Sequence, residues 1–99
     1  MIRSNVTDPT LLILISLAEN DKHGYAMMED IQRFSGSRLG PGTLYGAITR
    51  LESEGWIRPV ARDDRRQPYT LTPAGKRHLE EQMAGANQLV KTAMRRLRA

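Results

Sequence analysis

GPGTLYGAITRLESEGWI, residues 40–57, is the stretch of sequence that decides the fold. Its apolar residues recur at the i, i+3, i+4 and i+7 spacing of one helix face: Leu44, Ala47, Ile48 and Leu51. Gly40 is placed as an N-cap and Pro41 as the first helical residue, where a backbone N–H has no partner inside the helix. Gly55 suits the left-handed conformation that ends many helices. The pattern predicts a helix over residues 41–54.

The opposite face of this helix carries small and short polar residues: Thr43, Gly46, Thr49, Arg50 and Ser53. Such a face suits a helix that enters the major groove of DNA, because threonine can hydrogen-bond or contact a thymine methyl group, and Arg50 can reach guanine or phosphate. Gly42 removes side-chain bulk at the positive end of the helix dipole, so that a phosphate can approach the free N–H groups. Gly46 would let the helix lie close to the groove. An amphipathic helix facing solvent is the alternative.

Two short strands are predicted after this helix, in WIRPVAR (56–62) and QPYTL (67–71). Because proline cannot donate to a sheet ladder, Pro59 and Pro68 are expected to confine both strands to edge positions. The polar turn DDRR (63–66) joins them.

The tip of this predicted hairpin is basic. Arg62, Arg65 and Arg66 are placed where a wing would meet the minor groove or the sugar-phosphate backbone. Asp63 and Asp64 reduce the positive charge, so an ordinary surface hairpin with local ion pairs is the alternative.

Two further helices are predicted before the central stretch. Asp8 and Pro9 cap a first helix that runs to about Ala18. Its apolar residues surround it, so we expect one side to meet the core and another to meet a partner subunit, with Leu12 and Ile13 in that interface. After a break at DKHG, a second helix is predicted over residues 24–35.

A last helix is predicted from Pro73 to about Arg98, with Thr72 as its cap. Six of its residues follow one another at steps of 4, 3, 4, 3 and 4: Leu79, Met83, Ala86, Val90, Ala93 and Leu97. This is the spacing of a coiled-coil seam and predicts a homodimer. The basic residues at its end complement the helix dipole, with a DNA contact as the alternative.

Composition narrows the function. A chain of 99 residues with net charge +4 is one small basic domain, and residues 57–99 alone hold ten basic and four acidic side chains. This charge favours an acidic partner such as double-stranded DNA. The absence of cysteine excludes disulfides and thiolate chemistry and favours the cytoplasm. We expect a complete chain without leader peptide, membrane span, metal, cofactor or enzymatic activity, because no motif for any of them occurs.

The order of elements predicts a mainly α-helical α+β fold, a winged helix-turn-helix over residues 1–72 followed by a dimerisation helix over residues 73–99. Two functions fit this fold. One is sequence-specific DNA binding. The other is protein association through apolar surface on the first and last helices, which the basic hairpin disfavours.

KHGYAMMEDI (22–31), GPGTLYGAITRLESEGWI (40–57) and RRQPYTLTPAG (65–75) together resemble the PadR family of bacterial transcriptional regulators. The resemblance covers residues 8–80 and implies a homodimeric repressor that binds a palindromic operator and is often released by a small-molecule effector. It also implies that Thr43 and Tyr45 occupy the DNA-facing start of the recognition helix, and that Arg66 is the basic wing residue.

Two features depart from the family pattern. Gly46 stands where the family usually has proline, which should loosen the helix by up to about 1 kcal/mol relative to alanine. The last helix has no aromatic residue, whereas drug-binding members of the family hold flat ligands between aromatic side chains.

Overall fold

The computed structural model describes residues 8–62 and 64–99, and within them the chain forms four helices and one three-stranded antiparallel sheet. The elements in chain order are α1 (Pro9–Glu19), β1 (Lys22–His23), α2 (Gly24–Ser35), α3 (Pro41–Ser53), β2 (Ile57–Pro59), β3 (Pro68–Leu71) and α4 (Pro73–Arg98). The prediction about a leader peptide and the predicted role of Asp63 concern residues outside the described ones. The predicted mainly α-helical winged helix-turn-helix is confirmed.

Local capping explains where the helices begin. The Asp8 carboxylate accepts a hydrogen bond from the Thr10 N–H at 3.0 Å, and the Thr72 hydroxyl accepts one from the Gly75 N–H at 3.0 Å. Gly40 caps α3 through its backbone alone. All three starts agree with the prediction because capping depends on residues within one helical turn.

The core lies where α1, α2 and α3 meet. α3 contributes the apolar face that its spacing predicted, α1 and α2 pack their buried residues against it, and the first strand of the hairpin and the first turns of α4 close the core. The buried apolar residues are Leu12, Ile13, Leu14, Leu17, Met27, Ile31, Leu44, Ala47, Ile48, Leu51, Ile57 and Leu79.

Leu12 and Ile13 are 2 % and 0 % exposed inside the protomer. They leave no side-chain surface for a partner, which corrects their assignment to a subunit interface. Leu11 and Ile15 are the half-buried apolar residues of α1 instead. A helix that is apolar on nearly every side does not reveal which side faces the core.

The sheet has one strand more than predicted. β1 pairs with β3 through Lys22–Tyr69 and His23–Pro68, so the strand order is β1-β3-β2 and β3 is central. The prediction that Pro68 lies in an edge strand is therefore wrong. A central strand accepts this proline because it is the first residue of the strand, and its carbonyl receives the Val60 N–H at 3.1 Å.

A buried lysine fixes β1 against the helices. The Lys22 Nζ donates to the Ser16 carbonyl at 2.6 Å and lies 3.0 Å from a Glu19 carboxylate oxygen. The Asp30 carboxylate accepts the Ser16 hydroxyl at 2.7 Å and lies 3.8 Å from the same Nζ. This network connects α1, β1 and α2, and so sets the position of the neighbouring His23.

The start of α4 is fixed to the end of α3. Thr72 donates its N–H to the Trp56 carbonyl at 3.1 Å and its hydroxyl to the Gly55 carbonyl at 2.7 Å. The Trp56 ring stacks on His78 of α4, with ring centroids 3.6 Å apart and an interplanar angle of 11°. A side chain at Gly75 would overlap the Trp56 carbonyl, so glycine is required where the two elements touch. The direction of α4 is thereby set by residues that follow α3 directly.

In the part of the chain that the structure describes, no helix has both the length and the apolar character needed to cross a membrane.

Candidate nucleic-acid interface

The outward face of α3 presents every residue that the sequence assigned to it. Gly42, Gly46, Thr49 and Ser53 form its central row, with Thr43 and Arg50 on one side and Tyr45 on the other. All of these residues are exposed, while the opposite face of α3 is buried.

Two hydroxyls on this face bond back to the helix. The Thr49 hydroxyl donates to the Tyr45 carbonyl at 3.0 Å, and the Ser53 hydroxyl donates to the Thr49 carbonyl at 3.1 Å. With these donors engaged, each oxygen still has lone pairs to accept a hydrogen bond, and Thr49 still presents its methyl group. The face therefore offers acceptors and apolar contact as well as the Arg50 guanidinium.

The N-terminus of α3 is open. Gly40 provides no side-chain cap, and a side chain built at Gly42 would meet nothing within 4 Å. The N–H groups of the first turn therefore lack covering side chains at the positive end of the helix dipole. An anion such as a phosphate can approach them directly.

The hairpin between β2 and β3 is held by its own backbone and one glutamine. The Gln67 side-chain amide donates to the carbonyls of Val60 at 2.7 Å and Pro68 at 2.9 Å. Asp64 adopts a left-handed backbone conformation, with φ of 59°, which lets the chain reverse direction. At the tip, the Arg62 guanidinium donates to the Arg65 carbonyl at 3.3 Å.

The hairpin between β2 and β3 is called the wing, and its Arg62, Arg65 and Arg66 line one cleft of about 270 Å³ together with Tyr45 of α3. Its walls come from the wing, from α3 and from the junction of β1 with α2. The lining residues are His23, Gly24, Tyr25, Tyr45, Arg62, Arg65, Arg66, Gln67 and Tyr69. The structure thus brings Tyr45 together with all three predicted wing arginines, although 17 or more residues separate them in sequence.

His23 holds one of these arginines. Its Nε2 lies 3.1 Å from the Arg66 guanidinium, and its Nδ1 lies 3.3 Å from the Ala26 N–H and caps α2. A neutral imidazole has one acceptor nitrogen, so these two donors compete for it. A phosphate, which is negatively charged, is a stronger acceptor for the Arg66 guanidinium than this imidazole.

Tyr45 lies across the start of α2. A Cβ atom at Gly24 would lie 2.5 Å from the Tyr45 hydroxyl oxygen and 2.8 Å from its Cζ, so glycine leaves the space for this ring. Tyr69 lines the same cleft, and its pKa is raised above the ordinary 10.0, first by burial and then by electrostatic repulsion from Glu52 and Tyr45. The Tyr69 phenol therefore loses its proton only at a more alkaline pH than a free tyrosine.

Five residues of the cleft were not predicted as site residues: Gly24, Gln67, Tyr69, His23 and Tyr25. The side chains of His23 and Tyr25 lie at the start of α2. Tyr25 is 60 % exposed at the mouth of the cleft. Both belong to the HGY stretch, which contributed to the family resemblance but to no predicted site. The signal that could have found them is the position of this stretch at the start of α2, next to the predicted wing.

Comparisons with known proteins agree with this geometry. The family model described as the transcriptional regulator PadR-like family matches residues 13–81. Transcriptional regulator Rv3488 of Mycobacterium tuberculosis is 36 % identical over 87 residues, which cover 85 % of this chain and 80 % of that protein. The crystal structure of a PadR family transcription regulator from Clostridium difficile superposes with a TM-score of 0.78 at 27 % identity, covering 92 % of this chain and 98 % of that one.

An uncharacterized 37.1 kDa protein in transposon TN4556 of Streptomyces fradiae is 47 % identical over 75 residues. The match covers 76 % of this chain but only 22 % of that relative, so the chain spans about a fifth of its length. The family model and the Mycobacterium relative both extend over most of the present chain. The chain therefore belongs to the PadR-like family of transcriptional regulators.

Proposed function

We propose that this regulator is a homodimeric repressor that binds a palindromic DNA operator in the cytoplasm. The observation that carries the proposal is the common cleft of the wing arginines and Tyr45, next to the open N-terminus of α3. Basic side chains and exposed helix N–H groups are the groups with which proteins hold DNA phosphates.

In this proposal α3 enters the major groove. Gly42, Gly46, Thr49 and Ser53 form a row without bulky side chains, so the helix backbone can lie close to the bases. Arg50 and Thr43 flank this row and reach base edges. Contacts of this kind, rather than phosphate contacts, provide sequence specificity.

The wing has a different role. Arg62, Arg65 and Arg66 are exposed, and they would contact the sugar-phosphate backbone or the minor groove beside α3. They would add affinity for any DNA sequence and make binding sensitive to salt. The release of Arg66 from His23 would accompany this contact.

Two copies are needed for a palindromic site. A second copy would pair through the seam residues of α4 and place the two α3 helices about 34 Å apart, one turn of DNA. Release from DNA by a small-molecule effector, which the family resemblance implies, belongs to the same proposal.

Footprinting of the purified protein on DNA that flanks its own coding sequence tests this function. We expect a protected site with two-fold symmetry. Thr43→Ala and Arg50→Ala should weaken binding to that site by about 1–3 kcal/mol for each lost base contact, with less effect on unrelated DNA.

Arg77→Ala provides the control, since it removes one exposed positive charge from α4, outside the proposed interface. Equal losses for Arg50→Ala and Arg77→Ala would contradict a role for α3 in base recognition. Weak, sequence-blind binding beside a stable complex with another protein would instead support the protein-association function.

A further inference from the structure

The imidazole of His23 is fixed in position at the junction of β1 with α2. The backbone of His23 pairs with Pro68 in the sheet, and the neighbouring Lys22 is anchored to α1 through the Ser16 carbonyl. The His23 Nδ1 accepts the Ala26 N–H at 3.3 Å and caps α2. Because the backbone and Nδ1 are both engaged within the protomer, Nε2 is the ring nitrogen that is left to face Arg66.

The cap of α2 determines where the neutral ring carries its proton. A neutral imidazole has one N–H, and the nitrogen that accepts a hydrogen bond is the other one. When Nδ1 accepts the Ala26 N–H, the proton is therefore on Nε2, which lies 3.1 Å from the Arg66 guanidinium. Two N–H donors then lie side by side, and neither can accept from the other. A negatively charged oxygen that accepts from both would satisfy this pair.

The other side chains of the cleft also favour an anion. The titratable and charged residues that line it with His23 come from α2, α3, the wing and β3: Tyr25, Tyr45, Arg62, Arg65, Arg66 and Tyr69. None of the described residues that line the cleft is acidic. Glu52 of α3 acts on the Tyr69 phenol without lining the cleft, and the Lys22 amine is engaged in its network with α1. The cleft is therefore positively charged, with Nε2 of His23 in its wall.

We propose that the His23 imidazole and the Arg66 guanidinium together form a phosphate clamp, which holds one phosphate of the DNA backbone and in which His23 takes up a proton when DNA binds. The inference rests on the proposed DNA-binding function and names a contact outside the wing. Arg66 then donates to the phosphate instead of the imidazole, and the Nε2–H of His23 donates to the same phosphate.

Proton uptake follows from what lies beside Nε2 with and without DNA. In the free protein a positive charge on His23 is opposed by the nearby charge of Arg66, whereas a phosphate bound to both groups favours it. Protonation costs the hydrogen bond from Ala26, but this cost is the same in both states, so the phosphate alone changes the balance. Histidine ordinarily changes its charge between about pH 5 and 8, where DNA affinity can be measured.

The pH dependence of operator affinity tests the clamp. Each proton taken up raises the affinity by up to about tenfold for every unit by which pH falls. We expect the affinity of the wild type to rise by about tenfold or more between about pH 8 and about pH 5.5. His23→Asn should give a flat profile, because asparagine can cap α2 but does not titrate. A wild-type profile in His23→Asn would overturn the clamp.

The second histidine of the chain provides the control. His78 of α4 stacks on Trp56, away from the cleft. His78→Gln should therefore retain the pH dependence of the wild type. A flat profile in His78→Gln, with the fold intact by circular dichroism, would assign the proton uptake to His78 and overturn the clamp.

Calorimetry of the wild type tests the clamp without any variant. Operator binding measured in two buffers of different ionisation enthalpy gives the number of protons taken up, and we expect up to about one for each copy. Operator binding without proton uptake between about pH 5.5 and about pH 8 would overturn the clamp and leave the proposed function standing. Absence of operator binding at every pH would overturn both.

Discussion

At the scale of single residues, Tyr69 is a lining residue of the cleft whose surroundings change its pKa. Its pKa is raised above 10.0 by burial and by Glu52 and Tyr45. Between pH 10.0 and this higher value only the unfolded chain ionises the phenol, so the free energy of unfolding should fall as pH rises above 10.0.

Denaturant unfolding on both sides of pH 10.0 measures this effect. Tyr69→Phe should lose part of the alkaline fall in stability, because phenylalanine has no proton to release. Tyr25→Phe, at an exposed tyrosine, is the control and should retain the fall. Identical pH profiles for the wild type and Tyr69→Phe would contradict the assigned environment.

A second prediction at this scale concerns Gly24. A methyl group at Gly24 would collide with the end of the Tyr45 side chain, which is half exposed and can swing aside at little cost in stability. Gly24→Ala should therefore leave the fold intact while moving Tyr45 out of the cleft, and DNA affinity should decrease.

A double-mutant cycle tests this explanation through DNA affinity measured in all four combinations. If displacement of Tyr45 is the cause, Gly24→Ala should have almost no further effect in a Tyr45→Ala background. An equal loss of affinity in both backgrounds would show that Gly24 acts without Tyr45.

The sequence was sufficient to place residues whose position follows from helix periodicity or capping. It was not sufficient for residues whose contacts come from distant parts of the chain. Thr43 and Arg50 could be placed on the outward face of α3 from helix periodicity alone. The competition of Arg66 and Ala26 for His23 could not be foreseen, because it joins residues 43 positions apart. The buried state of Lys22 depends in the same way on carboxylates from two helices.

At the scale of secondary-structure elements, the junction between the end of α3 and the start of α4 leaves no space for a side chain at Gly75. A side chain at Gly75 meets the backbone carbonyl of Trp56, which cannot move without disturbing the end of α3. Gly75→Ala should destabilise the protein by about 1–3 kcal/mol or more, as overpacking does in other cores.

Gly85→Ala is the matched control on the same helix. A Cβ atom at Gly85 would have no neighbouring atom within 4 Å. Alanine should therefore stabilise α4 by about 0.5–1 kcal/mol through its better helix propensity. Thermal unfolding of both variants would check the contrast. A Gly75→Ala protein as stable as the wild type would contradict the tight contact with Trp56.

Element boundaries followed from the sequence because caps are local, but the third strand did not. β1 has two residues, too few for an alternating pattern, and exists because Lys22 and His23 lie beside β3. The burial of Leu12 and Ile13 was missed for a related reason, since only packing selects one face of an apolar helix. The division at residues 72 and 73 stays a prediction.

At the scale of the whole molecule, the part of α4 beyond its first two turns is largely open to solvent. Val90→Asp or Leu97→Asp would place a carboxylate in the seam, where burial without a partner is costly. Both variants should sediment as monomers and bind operator more weakly. Gln88→Asp, off the seam, adds the same charge and should stay dimeric. Intact dimers for both seam variants would contradict this interface.

In the proposed complex, the wing arginines of each copy hold DNA phosphates beside α3. The salt dependence of operator affinity measures such contacts, because each phosphate contact contributes about 0.9 to the slope of log K against log salt concentration. The double variant Arg65→Ala/Arg66→Ala removes up to two contacts from each copy.

We expect the slope of this double variant to be shallower than that of the wild type by up to about 3.6, together with weaker binding to all DNA. The double variant Lys76→Ala/Arg77→Ala removes the same charge from α4 and should keep the wild-type slope. An unchanged slope for Arg65→Ala/Arg66→Ala would contradict the claim that the wing binds the DNA backbone.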